Sequence, residues 1–95
     1  MQNHVSKLSK QVYIVNALGL HARAAAQIAG IVQESRSAVH IINNDLKADA
    51  SSIIDILTLN SPQGTVLTFE IENPSDHNIL DALVTLVENR FGEEN

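Results

Sequence analysis

Residues 65–72, TVLTFEIE, alternate apolar and polar side chains without a break. Leu67, Phe69 and Ile71 share one side; Thr68, Glu70 and Glu72 share the other. A period of two sends successive side chains to opposite faces of a strand, so this segment predicts an antiparallel strand with one buried and one wet face. A sheet built from such strands is covered on one side only. The helices of the chain then have to share that side.

The remaining segments fit this frame. QVYIVN (11–16) is rich in branched and aromatic residues and predicts a strand, with Val12 and Ile14 facing one way and Tyr13 and Val15 the other. Over 22–35, Ala25, Ile28, Ala29 and Val32 fall at i, i+3, i+4 and i+7, the buried stripe of a helix. SAVHIIN (37–43) and LKADA (46–50) read as a hairpin around NND, because Asn and Asp tolerate positive φ. SSIIDILTL (51–59) is compatible with a strand or a short helix. The helix is favoured, with Ser51 or Ser52 as N-cap and Asp55 in the first turn. NPSD starts a last helix over about 76–90, with Leu80, Leu83, Val84 and Val87 inward. The order β-α-β-β-α-β-α predicts an α+β fold: an open-faced β-sandwich, a four-stranded antiparallel sheet with three helices on one face.

At 95 residues the chain is one domain, 1–95, with its core over about 10–91 and both termini expected to fray, the acidic end RFGEEN among them. Apolar residues make up 44% and aromatics 3%, so the core is aliphatic. The absence of cysteine removes disulfides, thiolate metal sites and a cysteine nucleophile. His4, His21, His40 and His77 lack metal-ligand spacing on any one element and show no evident carboxylate partner, so no metal or cofactor is expected. Net charge is -5, and Lys7, Lys10, Arg23, Arg36, Lys47 and Arg90 are scattered, which argues against nucleic acid as a partner. No apolar run suits a signal peptide or membrane insertion, and a soluble, cytoplasmic protein is expected.

The chemistry concentrates in NALGLHARAAAQIAG (16–30). Gly19 breaks the strand, and His21 falls at or just before the first turn of the helix. The first N–H groups of a helix lack intrahelical acceptors and carry partial positive charge, so they favour phosphate. An imidazole there offers a nitrogen nucleophile near neutral pH, and Arg23 offers a fork of donors for phosphoryl oxygens. A His in that position is more often a cap or a solvated residue, so position alone does not decide its role.

GLHARAA resembles the active-site motif G-[LIM]-H-A-R-P-A of HPr, the histidine-containing phosphocarrier of the bacterial phosphoenolpyruvate-dependent phosphotransferase system. SSIIDILTLNSPQGTVLTF resembles the regulatory segment of the same family, and the likeness spans about Lys10 to Phe91. The resemblance implies a phosphoryl group accepted on Nδ1 of His21 and steadied by Arg23. It also implies a Ser52 open to ATP-dependent regulatory phosphorylation by HPr kinase/phosphorylase. Leu20, Ala22, Ala24, Ile53 and Leu57 would form the docking surface. Enzyme I would be the donor and enzyme IIA domains the acceptors. The chain would act as a monomeric transfer intermediate rather than a stand-alone enzyme.

Two departures stand out. Ala24 replaces the usual Pro, restoring one N–H in the first turn. Gly30, Gln33, Ser51 and Asp55 occupy places where HPr proteins often carry Lys, which bears on partner choice more than on chemistry. A second reading therefore stands beside the carrier: a regulatory protein of the same fold that signals through phosphorylation of His21 or Ser52 with little sugar transport. A third is an α+β interaction module in which the motif is coincidental.

Overall fold

A computed structural model describes residues 7–94. Its strands are β1 (Leu8–Tyr13), β2 (Val39–Asn43), β3 (Leu46–Asp49) and β4 (Val66–Ile71), and its helices are α1 (Ala22–Val32), α2 (Ile53–Leu57) and α3 (His77–Glu88). The strands form one antiparallel sheet in the order β1-β4-β2-β3. Single 3₁₀ turns at Pro74–Asp76 and Arg90–Gly92 flank α3. The open-faced α+β sandwich expected from the sequence is the architecture found.

Packing follows the alternation. Phe69 lies opposite Lys10 of β1 and Ile41 of β2, at the middle of the sheet. Phe69, Leu67 and Ile71 are fully buried, together with Ile28 of α1, Ile56 of α2 and Leu83 and Val87 of α3. Burying each such side chain contributes about 1.5–3 kcal/mol. Ile79 joins the core beside Leu80, Leu83 and Val87, while Val84 is only partly buried.

Several boundaries differ from the sequence reading. β1 starts at Leu8 rather than 11 and ends at Tyr13. Its first residues pair with Phe69–Ile71 on a solvent-facing edge, so their pairing leaves no apolar signature. The chain stays beside β4 past Tyr13 through Ile14 N–H to Thr65 O (2.9 Å), then turns off at Asn16, which is fully buried. α1 stops at Val32 rather than 35. The N–H groups of Arg36 and Ser37 instead donate to the buried Asp76 carboxylate at 2.9 and 3.1 Å, which draws the chain across to the start of α3. The expected fraying of the N-terminus concerns residues outside those described. The other end is held further along than RFGEEN suggested, because Phe91 is buried and Glu93 bonds back to the start of α1.

Candidate functional site

Gly19 places the site. Its φ is +70°, and a Cβ there would lie 2.7 Å from the Ser61 carbonyl oxygen and 2.9 Å from Pro62 Cα. Glycine alone satisfies both the positive φ and this approach. Leu20 N–H donates to the same Ser61 oxygen at 2.9 Å, which fastens the loop before α1 to the loop before β4.

His21 then enters α1 as its N-cap with extended backbone (φ −89°, ψ −179°). Its Nδ1 accepts from the backbone N–H of Arg23 at 3.2 Å, so the ring does what a Ser or Asp usually does at this position. Among the described residues the N–H groups of Ala22 and Ala24 have no acceptor. Arg23 is exposed and forms no ion pair among the described residues. The first turn of α1 contains no acidic residue. A nitrogen lone pair therefore points at a helix start whose free N–H groups and guanidinium favour an anion.

The other ring nitrogen has a partner that the sequence did not reveal. Nε2 of His21 lies 2.5 Å from Oε2 of Glu93. The second carboxylate oxygen of Glu93 accepts from Asn16 Nδ2 at 3.0 Å, and the same amide group donates to Gly19 O at 2.9 Å. The bond from His21 holds the Glu93 carboxyl below the usual carboxylate range. The Asn16 amide and the charge of Arg23 act in the same direction, and partial burial opposes them. The acidic tail carries no periodicity and lies 72 residues from His21, so nothing local marks this contact. The sequence around Asn16 offers one faint signal, an Asn three residues before a turn glycine.

The predicted docking residues separate. Ala22 and Ile53 are exposed, and Leu57 is partly buried. Leu20 is only 7% exposed but lines a shallow cavity of about 470 Å³ with Leu18, Leu57 and Pro62. Ala24 is fully buried, so its expected place on the docking surface is corrected. It lies on the inward stripe of α1 next to Ala25 and Ile28, and only its N–H faces the helix end. Leu18 (70% exposed) and Ile54 (75%) are further exposed apolar residues.

Ser52 is the N-cap of α2, accepting from Asp55 N–H at 3.2 Å. Ser51 bonds instead to Asp49, whose carboxyl its hydroxyl and N–H hold below the usual range.

Fold and site together define a small open-faced sandwich that presents a histidine nitrogen at a helix N-terminus. The sequence profile described as PTS HPr component phosphorylation site matches residues 8–89. The phosphocarrier protein HPr of Cupriavidus necator is 37% identical over 86 residues, covering 90% of this chain and 97% of that protein. The phosphocarrier protein NPr of Shewanella violacea is 36% identical over 89 residues, covering 94% and 98%. The crystal structure of HPr-C-His from Thermoanaerobacter tengcongensis superposes with a TM-score of 0.86 at 33% identity, covering 93% of this chain and 99% of that one. The chain belongs to the HPr/NPr family of phosphotransferase-system phosphocarriers.

Proposed function

We propose that His21 accepts a phosphoryl group on Nδ1 from phosphorylated enzyme I and passes it to enzyme IIA domains, with Arg23 steadying the phosphoryl oxygens. The observation that carries this reading is the direction of Nδ1, which caps α1 and faces its free N–H groups. A phosphoryl group there meets the N–H groups of Ala22, Arg23 and Ala24, with the Arg23 side chain beside them. Ala22, Ile53, Leu57 and the cavity floored by Leu20 form the surface that docks both partners. On this reading the protein acts as a monomer. The place of action on this reading is the cytoplasm.

The test is incubation with phosphoenolpyruvate and the cognate enzyme I. An acid-labile phosphate appears on the protein, is absent from His21→Ala, and moves on to an enzyme IIA. No label on the wild-type protein sinks the carrier reading. A label that no enzyme IIA accepts favours the regulatory reading, which the likeness to an NPr and the acidic Asp55 on α2 keep in play. Under that reading Ser52 is a second modification site, and ATP with HPr kinase labels the wild-type protein but not Ser52→Ala.

A further inference from the structure

We infer that Glu93 is a positioning residue: it holds the proton of His21 on Nε2 and thereby reserves Nδ1 as the nucleophile. This rests on the phosphocarrier reading and adds to it the residue that selects the reacting nitrogen.

The hydrogen bonds around the ring assign the tautomer. Nδ1 accepts from Arg23 N–H, so it carries no proton. Nε2 faces an ionised carboxylate, which only accepts, so Nε2 carries the proton and donates. The reverse tautomer would set two N–H groups against each other at Nδ1 and two lone pairs against each other at Nε2.

The carboxylate is held in place from three directions. Asn16, fully buried, fixes Oε1 and leaves Oε2 for the ring. Phe91, 3% exposed, anchors the segment in the core, and Gln27 Nε2 donates to its carbonyl oxygen at 3.2 Å. Arg90, Phe91 and Gly92 are consecutive left-handed residues at φ 57°, 55° and 80°. Non-glycine residues seldom adopt that region, and such strain persists only where the surroundings impose it. Here the result is a chain reversal that delivers Glu93 to His21.

The consequence for transfer is one of charge. The Nδ1 lone pair forms the new N–P bond as the bond from phosphorus to the donor atom breaks, and the donor keeps that electron pair. No proton needs to leave the ring. The product ring, bonded to phosphorus at Nδ1 and to hydrogen at Nε2, is cationic, and the Glu93 carboxylate already stands against the charge that develops. Arg23 N–H, released from Nδ1, turns to the phosphoryl oxygens.

The test uses the full chain and reads the ring before any phosphorylation. In ¹⁵N NMR, Nε2 of His21 shows an attached proton sheltered from solvent exchange, and Nδ1 shows none. In Glu93→Ala that proton exchanges and its resonance is lost, while Glu93→Gln, which keeps an acceptor, retains it. A proton found on Nδ1 in the wild-type protein overturns the inference. So does an Nε2 proton equally sheltered in Glu93→Ala. This readout does not depend on whether enzyme I phosphorylates the protein, so failure of the carrier reading and failure of this one are told apart. In the transfer assay, Glu93→Ala lowers kcat by about tenfold to hundredfold, the range for loss of an orienting partner. KM for enzyme I stays unchanged, because Glu93 lies outside the proposed docking surface. Glu93→Gln falls between the two, keeping orientation but not charge. An unchanged kcat in Glu93→Ala, with label still on His21, overturns the inference and leaves the carrier reading intact.

Discussion

The two helices that carry the proposed chemistry begin in the same way and differ in what surrounds the cap. α1 starts at His21 and α2 at Ser52. Both caps have extended backbone, and each accepts one N–H of the first turn at 3.2 Å. Beyond the cap they part. The first turn of α1 contains Arg23 and no acid; that of α2 contains Asp55, with Asp49 close before it. A helix start with a cation and free donors is ready for an anion. One that already has its carboxylate has less to offer a second negative group. The geometry of the cap is shared, and the charge of the first turn separates a helix start that favours an anion from one that already holds its own carboxylate.

Substitutions at either helix start test this difference. The largest effect is expected at Gly19, since the α1 cap depends on a distant loop and the α2 cap does not. Gly19→Ala meets both the positive φ and the Ser61 carbonyl, and should cost about 2–4 kcal/mol in urea unfolding. A neutral result would mean that the loop carrying His21 is freer than its contacts imply. Next comes Arg23→Ala. Hydrogen bonds to a charged group contribute about 1.5–3 kcal/mol, so phosphoryl transfer should slow by about tenfold to hundredfold with folding unchanged, read by single-turnover kinetics. Ser52→Ala removes only a cap and should cost about 1 kcal/mol by thermal unfolding, with His21 labelling unaffected. The smallest effect belongs to Ala24→Pro. That N–H has no acceptor among the described residues, so stability should move by under about 1 kcal/mol. Faster loss of the His21 phosphate in the variant would identify the Ala24 N–H as a donor to it.

Acid sharpens the same contrast. The Glu93 carboxyl is held low by its bond from His21, so its contribution is present above the usual carboxylate range and is lost as pH falls through the depressed value. The Ser52 cap is an uncharged hydroxyl and has no such dependence. Lowering the pH should release the His21 ring, seen as loss of its sheltered Nε2 proton, while the amide of Asp55 stays protected from hydrogen exchange. Simultaneous loss of both would show that acid acts on the whole domain. Asp76 is the group to watch for that. Burial would raise its carboxyl, but the N–H groups of Arg36 and Ser37, the Ser37 hydroxyl and the charge of Arg36 outweigh burial and hold it low.

Local pattern made much of this legible. The alternation around Phe69, the stripe Ala25-Ile28-Ala29-Val32 and the Ser52 cap each lie within a few residues, and the structure keeps all three. The placing of His21 and Arg23 at the start of α1 was readable for the same reason. What escaped is long-range. Leu8–Lys10 form an edge strand only because β4 lies beside them. Ala24 looked accessible until the packing of α1 on the sheet buried it. Glu93 sits in a charged tail that reads as solvated, and its contacts exist only once residues 16, 21 and 93 meet.

That meeting also sets an order of events in the life of the molecule. β1 lies at the edge of the sheet against β4, and His21 and Glu93 are separated by 72 residues along the chain. Contacts so distant along the chain form late and slow folding, because loop closure must precede any gain from them. Synthesis runs from the N-terminus, so the histidine emerges well before its carboxylate. If Glu93 orients the ring as inferred above, a nascent chain presents His21 long before it can orient it, and orientation waits until Glu93 is free to fold back.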